Sequence, residues 1–233
     1  MSKKILIVNA DDFGQSEGVN KGVIKSFEQG ILTSASLMVR YPAVYAASAY
    51  AKRNNLDLGL HVDLGEWIFR NENWSALYEV VSVDDVLAVK EELYKQLETF
   101  YRIHGKNPSH LDSHQHIHKN ENIKSVFLEM AHKLNITLRW CSKNVNYCGE
   151  FYGQASDSSP FHEGISVNNL KNIILSLPEG ITELACHPGE DIEFQTMYKI
   201  EREIEVNSLC SKNIQETLLE SEVQLCTFEG IPF

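Results

Sequence analysis

Four of the chain's nine histidines fall within nine residues, His110-Leu-Asp-Ser-His-Gln-His-Ile-His118, with one aspartate among them. In an extended segment, side chains alternate faces with period two. His110, Asp112, His114, His116 and His118 then share one face, and Leu111, Ser113, Gln115 and Ile117 the other. Neutral imidazole is the commonest metal ligand, so that face is a place for a divalent cation or for acid–base chemistry. The same residue types recur at Asp11-Asp12, His61 and His187. Singly these are weak signals. An aspartate pair after a strand is as readily a turn or a helix N-cap. A lone histidine at a strand end is more often a hydrogen-bonded structural residue.

The elements that must position these groups follow from hydrophobic period. Ile5–Val8 is a continuous apolar run, as in a strand covered on both faces, and it ends in Asn9-Ala-Asp-Asp-Phe-Gly14. Val19, Val23 and Phe27 mark a helix stopped by Gly30. Ser34–Val39 reads as a second strand, Pro42 opens a small-residue helix to about Lys52, and Leu56–Leu64 alternates as a third strand. Residues 65–81 show no clear period, although Trp67, Phe69, Trp74 and Tyr78 stand out there. Ser82-Val-Asp-Asp85 has the shape of a capping box before a long helix carrying Val86, Leu93, Leu97 and Phe100. The histidine stretch starts as a strand and runs off its end. A helix over Ile123–Leu134 and a short strand at Ile136–Arg139 follow. Residues 140–165 read as a long loop. After it come a helix at Val167–Leu177, a strand at Thr182–His187, two helices and a strand at Val223–Phe228.

Strand and helix alternate six or seven times, which means parallel strands with crossover helices, in a closed barrel or an open doubly wound sheet. Asp11, Asp12, His61, the 110–118 cluster and His187 all lie at or beyond strand C-termini. In parallel α/β folds those ends share one face, where active sites sit. Four segments converging on one mouth is better evidence than any one motif.

The chain has 233 residues, 43% of them hydrophobic, enough for a sizeable core, and it shows no linker or internal repeat, so one domain over 1–233 is expected. A net charge of −11 without a basic stripe argues against nucleic acid. No apolar stretch has membrane-spanning length, and the start has no signal-like apolar core. The five cysteines are scattered and odd in number, which favours a reducing compartment; the expected setting is cytoplasmic.

Asn9-Ala-Asp-Asp-Phe-Gly14, Gly59-Leu-His-Val-Asp-Leu64, the 110–118 stretch and Cys186-His-Pro188 together resemble the YdjC-like carbohydrate deacetylases, which include chitooligosaccharide deacetylases. The similarity runs in order over nearly the whole chain. Gln115 is a departure, standing where many members have a further histidine. The resemblance implies a distorted, TIM-like (β/α) barrel related to polysaccharide deacetylase barrels, holding Mg²⁺ or a similar divalent ion on Asp12, His61 and His114. It implies Asp11 as general base, His187 as general acid, and hydrolysis of an N-acetyl group from an N-acetylglucosamine unit of a short oligosaccharide. A homodimer is expected at the family level. His116 and His118 are alternatives for the acid; with Asp112 they are otherwise candidates to orient His114. Arg139 is a candidate to steady Asp11 or a substrate oxygen. Asp-His-His accommodates Zn²⁺ as readily as Mg²⁺. Two other readings compete: a metal-dependent phosphoesterase or amidohydrolase, and a sugar-binding barrel without turnover. The first usually carries His-x-His after its first strand, where this chain has Asp-Asp, and no phosphate-binding glycine loop is evident.

Overall fold

The computed structural model describes residues 3–70, 73–231 and 233. Met1 and Ser2, at the start tested for a signal segment, and Asn71 and Glu72, within the 65–81 segment, lie outside the described residues. In chain order the elements are β1 (Lys4–Phe13), α1 (Glu17–Gln29), β2 (Ser34–Leu37), α2 (Val44–Asn54), β3 (Asp57–Val62), β4 (Gly65–Arg70), β5 (Asn73–Glu79), α3 (Val86–His104) and β6 (His110–Ser113). A 3-10 turn over His114–Lys119 follows, then α4 (Lys124–Leu134), β7 (Thr137–Leu138), β8 (Val145–Cys148), α5 (Val167–Ser176), β9 (Gly180–Cys186), α6 (Ile200–Leu209), α7 (Lys212–Glu220) and β10 (Gln224–Leu225).

All strands but β4 and β5 form one sheet in the order β7-β6-β3-β2-β1-β9-β8, with β10 beside β1 and all neighbours parallel. The two end strands, β7 and β8, follow each other in sequence, so the sheet is a nearly closed (β/α) barrel, as expected. β1 lies in the middle and is buried from Leu6 to Phe13, which explains its unbroken apolar start. On one side β9 pairs with it from Lys4↔Gly180 to Ala10↔Cys186. On the other side β2 takes only the upper half, Asn9 to Phe13, and β10 the lower, at Ile5 and Leu6. Phe228, just past β10, stacks on His110 at 3.9 Å, and its backbone N–H donates to Asp57. A Cβ on Gly59 would meet the His110 ring at 2.3 Å, so this position of β3 is glycine because the ring lies against its backbone.

Four sequence expectations change. Residues 65–81 hold an antiparallel hairpin, β4–β5, whose second strand is exposed almost throughout and so lacks the alternation that would announce it. The 140–165 loop contains β8, paired in parallel with β9. The long helix is capped by Asp85, whose carboxylate accepts from the Ala88 N–H, rather than by Ser82 in a capping box. The histidine stretch is extended only to Ser113; Gln115 and His116 then take left-handed conformations, φ 50° and 54°, and the shared face of 110–118 is broken.

Candidate active site

Asp11 and Asp12 are the last residues but one of a buried strand, so both carboxylates meet the barrel interior rather than solvent. Asp12 sits at φ 65°, a left-handed conformation that an aspartate tolerates better than most residues. The turn aims consecutive side chains at different partners. Asp11 accepts two parallel hydrogen bonds from Arg139, Nη1 to Oδ2 and Nη2 to Oδ1, each 2.7 Å, and a third at 3.1 Å from the Asn9 amide. Asp12 turns instead toward His61 Nε2 at 3.4 Å, His114 Nδ1 at 3.1 Å and Arg202 Nη2 at 2.6 Å.

Asp112 links the two halves. Its Oδ1 holds His61 Nδ1 at 2.8 Å, and its Oδ2 accepts from Ser36 Oγ at 2.6 Å and approaches Arg139 at 2.8 Å. That leaves Nε2 as the His61 nitrogen facing Asp12. A carboxylate behind one imidazole nitrogen is the arrangement that orients a metal-binding histidine. Arg139 is fully enclosed, with Glu183 at 2.6 Å as its third carboxylate.

The ligand atoms of Asp12, His61 and His114 lie within 4.8 Å of one another, a spacing that suits one divalent ion. Two observations fit such an ion. His114 Nε2 is buried without a partner among the described residues. Burial alone would lower both imidazoles, yet Asp112 and Asp11 hold His61 well above its ordinary pKa, and Asp12 raises His114. Positive charge is therefore favoured where the three donors meet. Against the cost of burial, Arg202 and His114 keep Asp12 well below the usual carboxylate range, and Arg139 lowers Asp11 likewise.

His187 reaches the same place from the end of β9, with Nε2 3.8 Å from Asp11 Oδ2. Burial lowers it to about 4, so the ring is neutral at pH 7. Its backbone N–H donates to Glu205, which also accepts from Tyr198 OH at 2.5 Å. Burial pushes Glu205 up to about 8.

The other histidines part ways. His116 lines the cavity, its Nε2 3.1 Å from Tyr147 OH. His118 bonds Ser113 Oγ at 2.7 Å and the Arg139 carbonyl at 3.2 Å, so both ring nitrogens are engaged in holding the turn. His110 packs below the site against Ser36, Ser109 and Phe228. Three participants carry no sequence signal. Arg202 and Glu205 are polar residues in an amphipathic helix, and Glu183 lies inside a strand.

Asp11, Asp12, His61, His114, His187 and Arg202 form the floor of a cavity of about 1050 Å³ with an aromatic rim. Trp67 and Trp74 of the hairpin stand on one side, and Trp140 and Tyr147, 4.4 Å apart, on the other. Gln115 ties the first side to the histidine turn: its amide accepts from the Trp67 N–H at 2.9 Å and donates to the Trp67 carbonyl at 2.8 Å. Its left-handed backbone is what lets the side chain lie along the hairpin edge.

A sequence profile described as YdjC-like protein matches residues 5–220. The carbohydrate deacetylase of Thermoanaerobacter pseudethanolicus is 30% identical over 247 residues, spanning 97% of this chain and 98% of that protein. The chitooligosaccharide deacetylase of Serratia marcescens is 26% identical, over 98% and 100% of the two chains. Among solved structures, an Enterococcus faecalis protein assigned to cellobiose-phosphate cleavage superimposes with a TM-score of 0.81 at 23% identity, each chain covered completely.

Proposed function

Because the chain belongs to the YdjC-like protein family, we propose that it is a metal-dependent hydrolase that removes N-acetyl groups from N-acetylglucosamine-containing oligosaccharides. The observation that carries the reading is the meeting of Asp12, His61 and His114 on one cavity floor with Asp11 and His187 beside them. Asp12, His61 and His114 would hold the ion, with Mg²⁺ as the family expectation and Zn²⁺ suited by two imidazoles. When bound, such an ion supplies Lewis acidity, polarising the acetamide carbonyl and acidifying water.

The chain's own residues supply the rest. Arg139 fixes Asp11 in one orientation, with a carboxylate ready to take a proton from the attacking water. His187, 3.8 Å away and neutral at rest, is placed to receive that proton and pass it to the departing amine nitrogen. Asp112 keeps His61 in one tautomer by accepting from Nδ1. The aromatic rim offers flat faces to sugar rings and lowers water access to the floor. A phosphoester substrate is less well served: Arg202, the guanidinium on the cavity lining, is already paired with Asp12 at 2.6 Å.

The reading extends to a single domain over 1–233 in the cytoplasm, acting without nucleic acid or membrane and as a homodimer. The five free thiols accord with a reducing setting, and among the described residues no helix is long and apolar enough to cross a membrane. The experiment is acetate release from di-N-acetylchitobiose and longer chitooligosaccharides by chelated protein given back Mg²⁺, Zn²⁺, Mn²⁺ or Co²⁺. Metal-restored release that Asp11→Asn abolishes is the expected result. No release with any ion, from protein that binds one, would reject the substrate assignment.

A further inference from the structure

A second cavity of about 910 Å³ adjoins the first, and Gln15 and Glu66 line both. Gln15 is only 8% exposed, and its side-chain oxygen has no hydrogen-bond partner among the described residues. A buried acceptor left without a donor costs free energy unless something arrives to fill it. Glu66 is half-buried beside it, and its carboxylate forms no ion pair or hydrogen bond among the described residues. The hairpin register slips between Glu66 and Trp67, so Glu66 pairs with Tyr78 but Trp67 with Ala76. That irregularity lets two consecutive side chains both reach the cavity, a common use of bulges next to active sites.

Charge on the described lining of the second cavity is mostly negative, while His114 and Arg202 act on Glu66 from the first cavity. Glu17, Glu66, Asp191 and Glu193 line the second cavity. Lys21, the cation among its described lining residues, is engaged by Asp191 at 3.1 Å. The Glu193 carboxylate is engaged too, accepting from the Glu17 N–H at 2.9 Å. Glu66 and the buried Gln15 oxygen remain as acceptors without a partner among the described residues. A neighbouring acetamido group would bring one N–H and a carbonyl oxygen that the carboxylate repels. An ammonium brings three donors, a positive charge and no acceptor.

Resting on the deacetylase reading, we propose that this junction is a subsite for a free amine on the sugar adjoining the unit that loses its acetyl group. Gln15 and Glu66 grip that amine. Glucosamine-containing, partly deacetylated oligosaccharides are thereby favoured over fully acetylated ones. Tyr45, 66% exposed on the lining of the second cavity, offers an aromatic face for the ring that carries the amine.

The test is calorimetric titration of the full chain, in Mg²⁺ buffer and again after chelation, with two disaccharides that have no acetyl group to lose. They are β-1,4-linked di-glucosamine and cellobiose, which differ only in amine against hydroxyl at C2. The pH is held near 6, below a sugar-amine pKa close to that of an α-amino group, about 7.7. Di-glucosamine is expected to bind about tenfold or more tightly than cellobiose, as loss of a charge-assisted hydrogen bond implies. Glu66→Gln and, separately, Gln15→Leu are expected to shrink that ratio, and both variants are checked for an unchanged melting temperature. Glu220→Gln, an exposed charge on α7, controls for the overall negative charge and leaves the ratio as it is. Equal binding of the two sugars, no binding of either, or a ratio that survives both variants overturns the proposal. Acetate release from di-N-acetylchitobiose is run in parallel. Release without amine preference removes only the subsite, and amine preference without release removes only the deacetylase reading.

Discussion

Replacing Arg139 with lysine keeps a cation in the barrel centre but removes the guanidinium fork. In the wild type that fork meets three carboxylates, Asp11, Asp112 and Glu183, at 2.6–2.8 Å. An ammonium on a shorter stem, without a planar fork, holds one or two of them, and it cannot reproduce the parallel pair on Asp11. One to two charge-assisted hydrogen bonds are lost, at ~1.5–3 kcal/mol each. The total, about 1.5–6 kcal/mol, is smaller than most of the ~5–15 kcal/mol range of protein stability, so the variant is expected to fold. For a chain of this length the melting temperature falls by roughly 3–24 °C. Acetate release falls further, about a hundredfold, because Asp11 is no longer held to the geometry of attack. Ion binding stays within a few-fold, since Asp12 is anchored separately by Arg202. Arg139→Met, which leaves three buried carboxylates without their shared cation, is expected not to fold stably. The assays are thermal melting, acetate release and calorimetric titration of the divalent ion. A lysine variant that melts within ~2 °C of wild type, or that turns over within about threefold of it, would refute the anchoring role.

Five histidines, three buried and two half-buried, set the acid limit of the fold. His104, His110, His118 and His187 are lowered to about 4 and His116 to about 3, chiefly by burial. Between those values and the unfolded pKa of about 6.5, the unfolded chain binds more protons than the folded one. Their contribution is therefore present above pH 6.5 and lost as pH falls toward 4, and urea midpoints measured across that window should drop steeply; a flat profile would contradict the burial argument. Gly59→Ala forces a methyl into the His110 ring and should cost about 1–3 kcal/mol in urea unfolding; a neutral substitution would mean the ring can move aside. Gln115→Ala releases the hairpin edge from the histidine turn, so KM for chitooligosaccharides should rise several-fold with kcat little changed; an effect confined to kcat would place Gln115 in the chemistry instead.

The parallel barrel was legible because each strand end carries a polar punctuation after a buried apolar run, and the 3.6-residue period of the helices is plain between them. Asp11, Asp12, His61, His114 and His187 were findable for the same reason: strand C-termini in such a fold have one destination. The hairpin was not legible, because its second strand, β5, faces solvent almost throughout and needs no alternation. The left-handed step at Gln115 and His116 was hidden as well, since neither glycine nor asparagine marks it. Arg202, Glu183 and Glu205 escape for another reason. Glu183 meets Arg139 across 44 positions and Arg202 meets Asp12 across 190, while Glu205 is engaged by Tyr198 and His187 from the irregular segment before its helix. No local pattern encodes such a pairing.

The central place of β1 bears on how the polypeptide emerges from the ribosome. Its full-length neighbour β9 is encoded about three-quarters of the way along the chain, and the strand that covers its lower flank, β10, later still. At ~5–20 residues per second, roughly ten to thirty-five seconds separate synthesis of β1 from that of β9. During that interval the most apolar strand of the protein has β2 on its upper half and an open hydrogen-bonding edge everywhere else. Productive folding in the cell thus depends on keeping Ile5–Val8 from pairing with another nascent chain, which makes this segment the natural place for a chaperone to hold.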